Sequence, residues 1–241
     1  MVLRAVAYPK LSADPGRIEF RFMTRPTTTD TGGKRRRNSE TTRHNILDVA
    51  TSEFADKGYA GARVDEIAER TQSTKRMIYY YFTDKEGLYQ AVLERSYRRI
   101  RERERELDTA GLSPPDAIRA IASLTFDHHE HNPEFIRLVS TENILRGEHI
   151  RKSEELNNLG NPAAELLERI LTRGQADGLF RTDVDALDVH MAISSFCVFR
   201  LSNRYTFEAL FGRDLTAPIH REHLRAMLGD MIIAFLTTTT A

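Results

Sequence analysis

From Ser39 to Leu236 the apolar residues recur at helical spacing, segment after segment, and nowhere alternate at the period of a half-buried strand. That pattern restricts the chain to an all-α fold. Ile46, Leu47, Val49, Ala50 and Phe54 form the stripe of a first helix, which Ser39 caps and Lys57-Gly58 ends. A short helix follows over about Val64–Arg70, with Val64, Ile67 and Ala68 inward. Thr71-Gln72-Ser73 reads as a tight turn, and Thr74 caps a third helix reaching about Tyr81. Thr83-Asp84 then breaks the chain and caps a long helix to about Leu107, whose inner face is Leu88, Ala91, Val92 and Ile100.

The remainder is punctuated just as clearly. Ser113-Pro114-Pro115-Asp116 starts a helix that ends near His131-Asn132. Pro133 opens another to about Arg146-Gly147, with a shorter piece to about Asn157. Asn161-Pro162 begins one that closes at Asp177-Gly178, and residues 178–185 form a connector. A strongly apolar helix spans about Asp185–Ser202, and the last spans about Pro218–Leu236. Residues 1–38 differ. They carry Pro9, Pro15, Pro26, a TTTDTGG tract and Lys34-Arg35-Arg36-Arg37, with too few apolar residues to offset the entropy of ordering. They read as a disordered basic arm, and Met23 offers a second candidate start. The expected division is 1–38 arm, 39–84 helix-turn-helix domain, 85–241 helical ligand-binding and dimerisation domain.

The 35 basic and 35 acidic residues cancel, which hides an uneven distribution. Residues 1–38 hold nine Lys/Arg against three Asp/Glu, so the excess positive charge sits in the arm. No apolar run approaches the ~18–20 residues that a membrane span needs, and Met1–Lys10 lacks the apolar core of a signal peptide. The lone Cys197 builds no internal disulfide and fits a reducing, cytoplasmic setting. No phosphate-cradling glycine loop, nucleophile elbow or clustered metal-ligand set is present, which argues against an enzyme and leaves no cofactor expected. His128 and His131 stand three apart, but no cysteine or second ligand cluster accompanies them, so capping or solvated histidines are expected. The run RERERE at 101–106 reads as a solvated helix face, and Cys197 as a core thiol.

Helix, short turn and helix make the helix-turn-helix arrangement, whose second helix enters the major groove of DNA. Within that helix Ile78 and Phe82 stand four apart and point toward a small core with Ile67 and Phe54. Lys75, Arg76 and Tyr79 lie on another side, suited to guanine edges and thymine methyls. Tyr80 and Tyr81 can offer hydroxyls to phosphates. Lys85 and the N-terminus of the next helix can meet the backbone. Arg43, near the start of the first helix, is a further phosphate candidate.

The stretch ILDVATSEFADKGYAGARVDEIAERTQSTKRMIYYYFTDKEGLYQAVL, residues 46–93, resembles the N-terminal domain of the TetR/AcrR family of transcriptional regulators. The marks are Phe54 with Lys57-Gly58-Tyr59, Ile67-Ala68, the block Ile78-Tyr79-Tyr80-Tyr81-Phe82, and Lys85-Glu86-Gly87-Leu88. The resemblance implies that Lys75, Arg76 and Met77 face bases. It implies that Arg63, Tyr79, Tyr80, Tyr81 and Lys85 touch sugar-phosphate; the capping Thr74 joins the DNA-binding set. Two departures stand out. Thr71-Gln72-Ser73-Thr74 replaces the family's usual Ala-Gly-Val-Ser, so Gln72 is expected at positive φ. Arg63 replaces a Thr or Ser, so the second helix loses its side-chain cap.

The resemblance also implies a double-stranded, roughly palindromic operator, a homodimer and a small-molecule effector that releases a repressor from DNA. The residues support a dimer. Helix 185–202 carries Val189, Ile193, Phe196, Cys197, Phe199 and Leu201 over more than one face. The last helix adds Leu224, Met227, Leu228, Met231, Ile232 and Phe235. Pocket candidates are the polar residues within apolar helices, Asn143, Arg146, His149, His190, Arg200 and Asn203, with Phe126 and Phe199 as walls. STENILRG, GLFRTDVD and SNRYTF resemble a subgroup tied to catabolic genes, including regulators of pyrimidine or nicotinate breakdown. That resemblance implies an aromatic or heterocyclic carboxylate, with Arg146 or Arg200 as counter-charge. The alternative is a dimeric DNA-binding protein whose C-terminal domain serves protein contacts and binds no ligand.

Overall fold

The computed structural model describes the backbone of residues 31–237 and the side chains of 39–237. The chain divides into two compact units, residues 1–41 and 42–241. The first 30 residues, Met23 among them, and the side chains of Lys34–Arg37 lie outside the described residues. Twelve helices and no strand are found among the described residues.

α1 (Thr31–Gly61) begins ahead of Ser39, the expected cap, because Lys34–Asn38 contain no breaker and lysine and arginine are good helix formers. Gly58, at φ 67°, kinks it where Lys57-Gly58 reads as a stop. α2 (Val64–Arg70) and α3 (Lys75–Phe82) follow the expected bounds to within a residue. Ile46, Phe54, Ile67, Ile78 and Phe82 meet in one core with Leu88, Tyr89 and Val92 of α4 (Lys85–Glu106). Each such side chain contributes roughly 1.5–3 kcal/mol on burial, so α4 is fastened to the first three helices.

The turn between α2 and α3 places Gln72 at φ 52°, as the missing glycine requires. The turn between α3 and α4 is tighter. Thr83 sits at φ 68°, ψ −61°, and Asp84 N donates to Phe82 O at 2.8 Å, which closes a γ-turn. A β-branched residue there is strained. Gly87 passes close against the same Phe82 carbonyl, leaving no room for a Cβ. Asp84 caps α4 by accepting from Gly87 N.

A second core joins α5 (Pro114–His131), α9 (Pro162–Ala176), α10 (Ala186–Ser202) and α12 (Pro218–Thr237) through Ile118, Leu167, Val189 and Leu228. Ser113 caps α5, Asn161 caps α9, and Asp185 with Asp188 forms a capping box on α10. Asp127 and Glu130 of α5 pair with Arg221, and Asp127 also with Arg225, which ties α12 to α5 beside the apolar contact. α6 (Pro133–Ile144) packs Phe135 and Ile136 against Ile100 of α4. Two short helices, α7 (Glu148–Lys152) and α8 (Glu154–Asn158), run on from it.

Two readings change. Residues 204–211, to which the sequence spacing assigns no element, form α11 (Arg204–Phe211), an eight-residue helix whose Tyr205, Leu210 and Phe211 are exposed. The RERERE run is not wholly solvated. Glu104 is buried and accepts two bonds from Arg101 at 2.8 and 3.1 Å, because α4 turns that face toward α9. Burial holds its carboxyl above the usual range, against the pull of Arg101. Arg98 and Arg105 reach Glu155 and the Leu159 carbonyl. Cys197 is a core thiol as expected, pushed up to about 12 by burial.

Candidate functional site

α3 exposes Thr74, Lys75, Arg76 and Met77 on its first turn, and Ile78 and Phe82 anchor its opposite face at 0% and 4% exposure. Thr74 Oγ1 accepts from Met77 N at 3.1 Å, which fixes the start of the helix. The anchoring holds the cationic turn outward without flexible linkage. Lys75 Nζ lies 3.2 Å from Asp65 of α2, an exposed pair that yields readily to a phosphate or base edge. Tyr80 is 80% exposed, whereas Tyr79 and Tyr81 are half-buried against the core, and Tyr81 also packs its ring edge-on to Tyr80 at 5.3 Å.

Around α3 two more cations are exposed. Arg63 is extended at φ −121° and makes no side-chain cap on α2, as its replacement of a hydroxyl residue requires. Its N–H donates to the buried Glu53 at 3.3 Å. Arg43 lies over the Phe82 ring at 5.1 Å. Lys85 departs from expectation. It is half-buried, donates to Ala60 O at 3.3 Å, and covers the Tyr59 ring at 5.1 Å; burial lowers its pKa. Asp84 accepts from Gly87 N at 2.8 Å, so one of the N-terminal amides of α4 already has a partner.

Six of the eight pocket candidates do not converge. Asn143 is exposed and gives its amide to Val139 O. Arg146 is exposed at φ 57° on the corner between α6 and α7. Asn203 joins α10 to α11, where its carbonyl accepts from Phe207 N at 2.8 Å. His190 is half-buried one turn from Ser194, and burial, then Arg101, lowers its pKa. His149 is buried, but against Glu142, Tyr59 and Tyr89, among the residues that pack on the first core.

Phe199 and Arg200 do line a cavity, about 700 Å³ in volume, between α10, α11 and α12. Phe196, Phe207, Met227, Met231 and Phe235 give it apolar walls. Arg200 is 2% exposed. Its guanidinium stacks 4.0 Å from the Phe126 ring, and Nη1 donates to Glu130 at 3.1 Å and Leu215 O at 3.4 Å. Its Nε has no partner. Phe126 thus supports the arginine from below and is not itself a wall. Arg213, which sequence reasoning missed because it lies in the stretch between the helices over 185–202 and 218–236, lines the same cavity and makes no ion pair among the described residues.

The histidines of α5 are held by packing. His131 Nδ1 bonds Asp127 O at 2.6 Å, His129 Nδ1 bonds Thr125 O at 2.6 Å, and His128 packs edge-on to Phe135. Burial, then the neighbouring His129, Arg103, Arg99 and His131, lowers His128 to about 4. Among the described residues no three His, Cys, Asp or Glu side chains converge as a metal site.

Residues 46–92 match the family model described as bacterial regulatory proteins, tetR family, and residues 114–232 match the tetracyclin repressor-like C-terminal domain. The HTH-type transcriptional repressor NicS of Pseudomonas putida is 37% identical over 201 residues, 83% of this chain and 95% of that protein. The chain belongs to the TetR family. A second relative, the HTH-type transcriptional repressor SCO4008 of Streptomyces coelicolor, is 35% identical over 46% of this chain and 54% of its own. The crystal structure of the putative transcriptional regulator SCO4942 from Streptomyces coelicolor superposes with a TM-score of 0.61 at 28% identity, covering 81% of this chain and 98% of that one. A tetR-family regulatory protein from Rhodococcus RHA1 shares the fold, with a TM-score of 0.66 at 17% identity over 83% of this chain and 98% of its own. This TetR-family chain is therefore a DNA-binding regulator of transcription and not an enzyme. Regulators of the family bind operator DNA and small-molecule effectors and act as dimers. No helix among its described residues is long and apolar enough to cross a membrane.

Proposed function

We propose that this regulator is a dimeric, cytoplasmic repressor that reads a roughly palindromic operator through α3 and is released by an aromatic or heterocyclic carboxylate. Arg76, Lys75 and Met77 meet base edges in the major groove, where a bidentate arginine–guanine pair discriminates by ~1–3 kcal/mol. Thr74, Arg63, Arg43, Tyr79 and Tyr80 contact sugar-phosphate. Tyr81 is chiefly a packing residue, and Lys85 serves the α1–α4 junction before it serves DNA. The chain 34–37 follows an adjacent minor groove, where negative potential favours arginine.

The two-fold pairing uses α10 and α12, whose Leu187, Met191, Phe199, Met231 and Phe235 are exposed large apolar side chains. The effector binds in the cavity that shares Phe199, Met231 and Phe235 with that face. The observation that carries this reading is Arg200: a buried guanidinium with an unpaired Nε, in an otherwise apolar cavity whose rim bears Arg213. An aromatic ring fits the phenylalanine walls, and a carboxylate satisfies both arginines. Arg146, exposed at its corner, has no part in this site. Because the cavity adjoins the pairing helices, its occupant shifts the angle between protomers. It thereby shifts the separation of the two α3 helices from the ~34–36 Å of one DNA turn.

A thermal-shift screen with benzoates and pyridine carboxylates, followed by operator release, tests this. The expected result is a ligand that stabilises wild type and releases DNA but does neither in R200M. A hit acting equally on R200M, or an empty panel, would remove the carboxylate reading.

A further inference from the structure

α1 carries a carboxylate on its buried face. Glu53 stands seven residues after Ile46 and three after Ala50, beside Phe54, and is 2% exposed. A carboxylate taken out of water is costly unless cations and hydrogen-bond donors surround it. Here they do. Oε1 accepts from the backbone N–H of Arg63 at 3.3 Å and lies 2.9 Å from Lys57 Nζ. Oε2 accepts from Arg70 Nη1 at 3.4 Å. Lys57 stands one turn on along α1, whereas Arg63 and Arg70 are the N-cap and the last residue of α2.

α2 needs such a partner because its own N-cap supplies none. Arg63 has no side-chain acceptor, so it leaves the first turn without a side-chain cap. In a capping box, the backbone N–H of the N-cap is met by an acidic side chain three residues further on. That residue here is Glu66, but its carboxylate holds Lys57. Glu53, ten residues back and on another helix, takes the place instead. Its charge lies at the N-terminal end of α2, where the helix dipole favours an anion. Lys57 joins Glu53 to Glu66, and Arg70 reaches back to Glu53, so α2 is strapped to α1 at its cap, its first turn and its last residue.

The strap fixes the direction in which Arg63 leaves the chain. The Arg63 backbone is extended, at φ −121° and ψ 122°, and its N–H is anchored on Glu53. Its side chain is exposed and makes no ion pair among the described residues. We propose that Glu53 is a positioning residue for operator binding: it replaces the missing cap of α2 and thereby aims Arg63 at a phosphate. A backbone held in advance in this way leaves less freedom to be lost when the contact forms.

This rests on the reading of α3 as the operator-contacting helix and of Arg63 as a phosphate contact, so wild-type protein first selects its duplex from a random pool. Failure to select any sequence removes both readings, and this inference with them. On the selected duplex, fluorescence anisotropy over a range of salt gives the Kd and its log–log slope. Arg63→Ala is expected to raise Kd by about fivefold and to lower the slope by about 0.9, the share of one phosphate. An unchanged slope there removes the Arg63 contact and the inference together. Glu53→Met deletes the charge and both acceptors. Lys57 and Arg70 are already 41% and 49% exposed, so no buried cation is left behind, and the fold is expected to persist. Kd is expected to rise by about fivefold and the slope to fall, as in Arg63→Ala. Beside Arg63→Ala, Glu53→Met is expected to add nothing to either. Should Glu53→Met not fold, Glu53→Gln, which keeps the volume and loses the charge, goes through the same cycle with shifts in the same direction expected. A Glu53 variant with a wild-type Kd, a slope that stays or rises, or an effect that persists by more than half beside Arg63→Ala would overturn the inference while leaving the Arg63 contact intact.

Discussion

Gly87→Ala adds one carbon at the place where α4 passes the end of the recognition helix. A Cβ there overlaps the Phe82 carbonyl oxygen and lies 3.3 Å from the carbonyl carbon. Both are backbone atoms, so no rotamer change relieves the clash, and α3 must move away from α4. Overpacking of this kind costs about 1–3 kcal/mol, against which alanine returns at most about 1 kcal/mol of helix propensity. The Phe82 carbonyl also closes the γ-turn at Thr83, so the displacement passes directly into α3. Disturbing the geometry of one bidentate base pairing costs about 1–3 kcal/mol, some 5- to 150-fold in Kd. Urea unfolding followed by circular dichroism reads the first cost, and fluorescence anisotropy on the selected duplex reads the second. Gly111→Ala is the control, since a Cβ there meets nothing within 4 Å. A Gly87→Ala protein matching wild type in both midpoint and operator affinity would refute the reasoning.

Thr83→Gly relieves positive φ at a β-branched residue and is expected to gain about 0.5–1 kcal/mol, read as a higher urea midpoint. His128 is depressed to about 4 from an ordinary 6.5, so the unfolded chain binds the proton more tightly. Stability is then full above pH 6.5 and is lost as pH falls toward 4; His128→Gln is expected to flatten that part of the pH–Tm curve. Phe54→Ala empties a fully buried site between Tyr59 and Tyr89, and is expected to cost about 3–5 kcal/mol in urea unfolding. Removing residues 1–37 is expected to lessen the log–log salt slope of operator binding by about 0.9 for each phosphate that the arm had neutralised.

The DNA-binding half is written in local signals. Caps at Thr74 and Asp84, the stop at Gly58 and the stripe through Phe54, Ile67, Ile78 and Phe82 each act within a turn or two of chain, and each appears where expected. Even the positive φ of Gln72 follows from one absent glycine. α11 escaped because its apolar face meets little core, so RYTFEALF shows no stripe tied to a neighbour. Most of the pocket candidates scatter for a different reason. A polar residue in an apolar helix signals a partner without saying which one: His149 found Glu142 across a corner, and Asn143 found its own helix. Arg200 and Phe199 were legible as residue types, but their convergence with Arg213 depends on how α10, α11 and α12 pack.

The central claim is that the first turn of α3 meets base edges in the major groove, once per protomer. Methylation interference at guanine N7 on the selected duplex tests it most directly. The expected pattern is two symmetric sets of guanines, about 34–36 Å apart, whose methylation blocks binding of wild type, with one position in each set ceasing to matter in Arg76→Ala. Binding indifferent to N7 methylation, or a pattern in Arg76→Ala identical to that of wild type, would contradict the account.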